Sequence, residues 1–286
     1  MPVASIVREA ACLVIQAASA FRRDRMMVHA EALAFRILLS MFPFVLFFLA
    51  LLVSLQRPEF FDWMMRQSRI ILPPSVLGLV EQAISELRAP QAGFLSTGAV
   101  AALWIASGAV RSLMNALNLV FGATESRPFW TRYPMSILFT LGMAVMLVSA
   151  ALLLSVGPNA MRWLAEELAL GADFVAPWSW LRLPGAFALL TLVVAIAYHV
   201  LPNVKHRFRL FSPGAGFAVL IWFSASFALA SYIQVFANYS VMYGSTGAVI
   251  VLLMYLHIST AALLLGAEMN AVAAQQRLAT GMCQSI

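Results

Sequence analysis

Charge is what this 286-residue chain has least of. Only 10% of its residues are Asp, Glu, Lys or Arg, and a single lysine, Lys205, accompanies 17 arginines. A soluble domain carries about a quarter charged residues, so a free soluble enzyme, a secreted scaffold and a disordered regulator are excluded. Cysteine is nearly absent: Cys12 and Cys283 lie near opposite ends. Such a pair is no disulfide framework, neither has a Cys or His at metal-ligand spacing, and both read as small apolar residues. GxxxxGK[ST], HExxH, CxxC and GxSxG are all missing, so the chain carries no ATP motor of its own. The four histidines, His29, His199, His206 and His257, show no ligand spacing; His29 with Glu31 supplies only two candidates. No aromatic and basic pattern of an RNA-binding module occurs. The expectation is a protein with no cofactor, no metal, no catalytic residues and no nucleic-acid partner: not an enzyme.

What is present is apolar. Hydrophobic residues make up 62% of the chain and the mean hydropathy is +0.88. A helix needs about 20 mostly apolar residues to cross a bilayer. Six stretches qualify: 33–55, 94–110, 134–156, 183–201, 212–237 and 244–267. The second is the shortest, and its helix is expected to continue through Phe121. None alternates with the period of a membrane β-barrel. The predicted fold is therefore an all-α membrane protein, a six-transmembrane-helix bundle with amphipathic interfacial helices. The bundle spans 29–275, preceded by an interfacial helix over 1–28 and followed by a tail at 276–286.

The interfacial helix rests on Ile6, Ala10, Leu13, Ala17 and Phe21, which recur at helical spacing. The Ala18-Ser19-Ala20 run has the form of a signal cleavage site, but the apolar stretch before it is short and Arg22-Arg23-Asp24-Arg25 follows at once. Hairpins are expected at 56–92 and 157–182. In the first, Ser75 caps a helix whose apolar face runs from Val76 to Leu87, and Pro73-Pro74 separates it from an earlier one. Both hairpins are expected to rest on the outer leaflet.

Polar residues within spans are costly and so informative. Offsets of four, seven and eleven share a helix face. His29, Arg36 and Ser40 follow that rule, with Pro43 continuing the stripe; so do Ser107, Arg111, Asn115 and Asn118. On the last span Thr246, Leu253, His257, Leu264 and Glu268 align, with Asn270 after them. Arg36, Arg111, Asn115, Asn118, Asn203, Glu268 and Asn270 all fall toward the same end of the bundle. Two readings stand: a water-filled vestibule or head-group site with Arg36 or Arg111 opposite Glu268, or helix ends tied together by capping and snorkelling. For the asparagines the structural role is expected. For His257, a neutral, hydrogen-bonded packing role is expected over a proton relay, because the other span centres supply no carboxylate.

Several short motifs occur together in order. They are His29-Ala30-Glu31-Ala32-Leu33-Ala34-Phe35 through Leu39-Ser40-Met41-Phe42-Pro43, Ala116-Leu117-Asn118, Leu201-Pro202-Asn203, Pro213-Gly214-Ala215, Tyr243-Gly244 and Leu265-Gly266-Ala267-Glu268-Met269-Asn270-Ala271. From about residue 29 to 275 the chain resembles the YihY/BrkB family of bacterial inner-membrane proteins. The resemblance implies six spans, a name linked to serum resistance and virulence, and an old label, ribonuclease BN. Two positions depart from the pattern. Arg36 stands where the family usually has an aromatic residue, and Met254-Tyr255-Leu256 replaces a common Trp-containing version. The ribonuclease label finds no support in the residues, since the cytoplasmic loops offer only His206 as a base of suitable pKa.

The expected function is transport or holding of an amphiphilic or anionic envelope molecule, such as a lipid or lipid precursor. The alternative is a membrane scaffold or assembly factor for the envelope. Expected partners are membrane lipids, with a homo-oligomer or an envelope protein as further possibilities. A continuous polar cavity favours transport, and a dry packed interior favours scaffolding.

Orientation follows from basic residues. Arg8, Arg22, Arg23, Arg25, Arg111, Arg127, Arg132, Lys205, Arg207, Arg209 and Arg277 fall on one side. Arg57, Arg66, Arg69, Arg88, Arg162 and Arg182 fall on the other. Both termini and the second and fourth loops are therefore predicted to be cytoplasmic in a bacterial inner membrane. Cysteine introduced at position 207 should resist an impermeant thiol reagent added to intact cells; labelling from outside would reverse the topology.

Overall fold

The computed structural model describes residues 3–54, 92–155, 175–204, 212–235 and 239–283. Among them every regular element is an α-helix: α1 (Val3–Arg23), α2 (Met26–Ser54), α3 (Ala92–Val120), α4 (Phe129–Ser155), α5 (Val175–Val200), α6 (Pro213–Val235) and α7 (Tyr239–Cys283). Four contain stretches long and apolar enough to cross a membrane: Met26–Val45, Val100–Val120, Pro213–Tyr232 and Val249–Gln276. Pro184–Val200 of α5 is a shorter apolar helix.

The helices close into a ring. α2 packs on α3, α3 on α4, α4 on α5, α5 on α6, α6 on α7, and α7 returns to α2. α1 lies outside the ring, mainly against α7. The core is made where α2, α3, α5, α6 and α7 converge, with Met26, Met114, Leu117, Leu201 and Leu264 fully buried. In lipid no water competes for backbone groups, so this all-helical solution satisfies nearly every amide within its own segment.

Two helix ends show how the sequence sets the turns. After α3, Gly122 adopts a left-handed φ of 62°. The Ala123 amide then donates to Asn118 O at 2.7 Å and the Gly122 amide to Leu119 O at 3.1 Å, the paired bonds of a Schellman cap. After α1 the left-handed position is taken by Arg25, φ 52°, a conformation that is strained for a residue with a Cβ.

Several boundaries differ from the sequence reading. α3 is one helix that ends at Val120, one residue short of the Phe121 expected. The expected tail at 276–286 is a continuation of α7 as far as Cys283, because nothing between Gln276 and Cys283 breaks the helix. Residues 175–182, expected in the second hairpin, form the first turns of α5. The rest of both hairpins, including the Ser75 cap, lies outside the described residues, as does the Lys205–Arg209 cluster.

α6 and α7 touch backbone to backbone. A Cβ placed on Gly214 would collide with Gly266 O, and one on Gly266 with Gly214 O. Only glycine fits at either position. Asn270 seals the crossing: its Oδ1 accepts from the Gly214 amide at 2.9 Å and from Ser212 Oγ at 2.7 Å, capping the start of α6. Beside it the Tyr198 hydroxyl donates to Leu263 O. Gly214→Ala must push the helices apart and should lower stability by about 1–3 kcal/mol. Gly216→Ala, whose Cβ would meet nothing, should hold or raise it. Melting of the purified protein in detergent compares the two, and equal stability of Gly214→Ala and parent would discount the crossing.

Candidate functional site

At the end of the ring where α3 and α5 stop and α4, α6 and α2 start, the polar residues singled out in the sequence meet different partners. Asn118, only 4% exposed, joins two chain segments. Its Oδ1 accepts from the Asn203 amide at 2.6 Å and its Nδ2 donates to Glu125 Oε2 at 3.0 Å. The Asn203 side chain donates to Thr124 O at 2.9 Å and Ser126 Oγ at 2.8 Å. Arg127 donates to the carbonyls of Leu201 (3.2 Å) and Pro202 (2.8 Å). Glu125 lies 3.9 Å from Arg127 Nε and 3.8 Å from Arg132 Nε, ionic contacts too long for hydrogen bonds. Arg132 also donates to Asn115 Oδ1 at 2.6 Å. The asparagines thus tie the α3–α4 turn to the end of α5. Glu125 and Arg127 were missed as site residues; their closeness to Asn118 in the loop that follows it is the signal that would have found them.

Arg111 is held elsewhere. Its guanidinium donates to Ser107 Oγ, to Ser136 Oγ at 3.2 Å and to Trp104 O at 3.3 Å. It lies over the rings of Tyr133, 4.3 Å from the centroid, and Trp104, 5.7 Å. Tyr133, Trp104 and Ser136 carried no weight in the sequence reading. They form a clamp between α3 and α4 that a helical wheel of α3 alone could not reveal. Arg36 is exposed on α2, and Ser40, one turn on, is buried.

On α7 the expected Arg36 or Arg111 pairing with Glu268 is not formed, and this corrects the sequence reading. Glu268 is 2% exposed, and its Oε1 is buried without a hydrogen-bond partner. The charges acting on it are Asp24 and Arg23, because the α1–α2 turn packs over this part of α7. Arg23 is itself engaged with Asp24 at 3.0 and 3.3 Å, bonds that raise its pKa. His257 is partly buried; its Nδ1 has no hydrogen-bond partner, and its carbonyl accepts from Thr260 Oγ1 at 2.9 Å. Among the described residues the hydrogen bond expected for the His257 ring is not found at Nδ1. Thr260 Oγ1 also lies 2.9 Å from Ala30 O, linking α7 to α2. Among the described residues no three His, Cys, Asp or Glu side chains gather where a metal ion could be held.

The interior of the ring holds an apolar cavity of about 270 Å³. Leu113 of α3, Met143 of α4, Leu190 and Val194 of α5, Val219 and Trp222 of α6 and Leu263 of α7 are among its walls. Its polar corner is Ser259, whose Oγ accepts from Trp222 Nε1 at 3.0 Å and donates to Tyr255 O at 2.7 Å. The polar stripes do not line this space; they are spent between helices.

A buried carboxylate without a cation gains little from its charge, since desolvation is not offset by a partner. Glu268→Gln should therefore leave the melting temperature unchanged or raise it. A marked fall, as from breaking an ion pair, would show that Glu268 has a cationic partner after all.

No solved structure matches this chain. The family model described as Virulence factor BrkB matches residues 17–283. The ribonuclease-like protein YfkH of Bacillus subtilis (strain 168) is 35% identical over 242 residues, covering 84% of this chain and 87% of that protein. A UPF0761 membrane protein of Aeromonas salmonicida (strain A449) is 26% identical, covering 88% of this chain and 86% of its own length. Another, from Aggregatibacter aphrophilus (strain NJ8700), is 25% identical, covering 71% and 70%. With a helical ring, four helices able to cross a bilayer and a family match over nearly all its length, this chain belongs to the BrkB virulence-factor family of membrane proteins.

Proposed function

We propose that the protein is a non-enzymatic inner-membrane protein that holds an amphiphilic molecule, and that this holding is a step in moving or sheltering an envelope lipid or lipid precursor. All six helices of the ring cross the bilayer in this reading, with both termini in the cytoplasm. The apolar cavity carries it. Binding sites are typically concave and mostly apolar, with a few polar groups that fix orientation. A space of about 270 Å³ walled by five helices, with one polar corner, suits a hydrocarbon chain better than a hydrated ion or sugar. The ribonuclease-like name belongs to the B. subtilis relative. Nuclease chemistry is not proposed for this chain, whose cytoplasmic loops supply only His206 as a base of suitable pKa.

A second reading, a scaffold or assembly factor, is favoured by the Asn118–Asn203 knot, where polar groups satisfy one another across helices. The cavity separates the two. Leu190→Trp fills the space from α5. If the cavity holds lipid, the purified variant should keep its fold and lose about tenfold or more of the lipid the parent retains, a change of about 1.4 kcal/mol in binding free energy. Native mass spectrometry of protein released from nanodiscs measures it. Unchanged lipid retention with a raised melting temperature would mean that the cavity is a packing gap, and would favour the scaffold.

A further inference from the structure

The two ends of the interior space are built differently. Toward the end where α5 stops and α6 starts, each wall runs at once into close packing. Leu117 follows the wall residue Leu113, Leu201 follows Ala197, Ala215 precedes Ala218 and Ala267 follows Leu263. All four are fully buried. The Tyr198 hydroxyl crosses this end from α5 to donate to Leu263 O, and the contact of Gly214 with Gly266 lies beside it. This end is a stopper.

Toward the other end the helices are bridged by rings. Phe187 of α5 stacks on Phe223 of α6 with centroids 6.1 Å apart. Trp222 meets Phe223 edge-on at 5.2 Å and Tyr255 of α7 at 6.3 Å. Trp222 and Tyr255 are themselves cavity walls, and the indole is fixed by its bond to Ser259. One turn past Trp222, on the helix face it shares with Val219, stands Ser226. Its Oγ is buried and has no hydrogen-bond partner among the described residues. Ser224 and Ser231 of the same helix spend their hydroxyls on the carbonyls of Leu220 and Phe227, at 3.0 Å each. A buried hydroxyl left unpaired is costly. Ser226 is thus a donor still open to a partner, just beyond the apolar walls.

We propose that the cavity holds one acyl chain of an ester-linked lipid, its terminal methyl against the stopper and its ester carbonyl on Ser226 Oγ. The stopper leaves the chain one way in. From Ala218 to Ser226 is eight residues, about 12 Å of helix. Along that length the walls are apolar, the Ser259 hydroxyl is already engaged, and a free donor comes last. Hydrocarbon first and hydrogen bond last is the order of groups in an esterified chain read from its methyl. The rings suit the methylenes that pass them, since they offer area without polar demand. A neutral hydroxyl suits an ester carbonyl better than the charged carboxylate of a free fatty acid, which brings a desolvation cost. This inference rests on the amphiphile reading above and adds the direction of the chain and its linkage. With both termini in the cytoplasm, as proposed above, the mouth faces the outer leaflet.

The experiment uses the full chain in phosphatidylcholine nanodiscs with a minor share of photoactivatable phosphatidylcholine. One probe carries a diazirine at the terminal carbon of an acyl chain, the other beside the ester carbonyl, and labelled peptides are mapped by mass spectrometry. The terminal probe should label the surroundings of Ala197 and Leu263, and the carbonyl probe those of Trp222 and Ser226. Leu190→Trp should remove these labels and keep those on lipid-facing positions such as Leu138. The reverse placement, or the same labels from both probes, would overturn the orientation and leave the amphiphile reading standing. No interior label from either probe would overturn both. In native mass spectrometry the parent should retain the ester lipid about fivefold over its ether analogue, the effect of one hydrogen bond. Ser226→Ala should erase that preference. Equal retention of ester and ether lipid by the parent, or a preference that survives in Ser226→Ala, would overturn the role of Ser226.

Discussion

Hydrocarbon cannot repair a broken hydrogen bond, and the arrangement of this ring follows from that constraint. Each polar side chain placed on an apolar helix must find a partner on a neighbouring one or face an interface. Asn118 meets the backbone of Asn203, Asn270 meets the start of α6, Thr260 meets a carbonyl of α2, and Trp222 meets Ser259. These bonds join residues 37 to 230 positions apart, so they help to specify which helices become neighbours. Apolar packing alone would not, since lipid tails are as apolar as leucine.

Much of the fold is legible in the residues. The long apolar runs place the helices. The order of short motifs around Asn118, Asn203 and Gly266 identifies the family. Asn118 and Asn270 each make bonds to another chain segment, since an amide in a span has few alternatives. Partner identity was not legible. A helical wheel gives the face of α3 that bears Arg111, but not the helix that covers it, and the covering groups were a tyrosine and a serine of α4. Glu268 was misjudged for a related reason. The amphipathic pattern of α1 does not show that the Arg23–Asp24 turn lies over α7.

The separation of polar and apolar surfaces also bears on how the molecule is used. The interior space is apolar and the stripes of Asn, Ser and Arg lie between helices. Under the function proposed above, the tail of an amphiphile would occupy the apolar interior.

The glycine crossing gives α6 a mechanical character. Gly214 and Gly266 hold the two backbones in contact near one end of the pair, while the cavity walls contributed by α6, from Ala218 through Trp222, lie farther along the same helix. A contact without side chains offers little leverage against rotation, so any tilt of α6 would turn about it and would have to stretch the Trp222–Ser259 bond. Trp222 is eight residues from that pivot, about 12 Å at the rise of an α-helix. A tilt of about 5° of α6 therefore carries the indole roughly 1 Å, while Gly214 itself hardly moves. The width of the interior space is thus geared to the angle between two helices that share a fixed point.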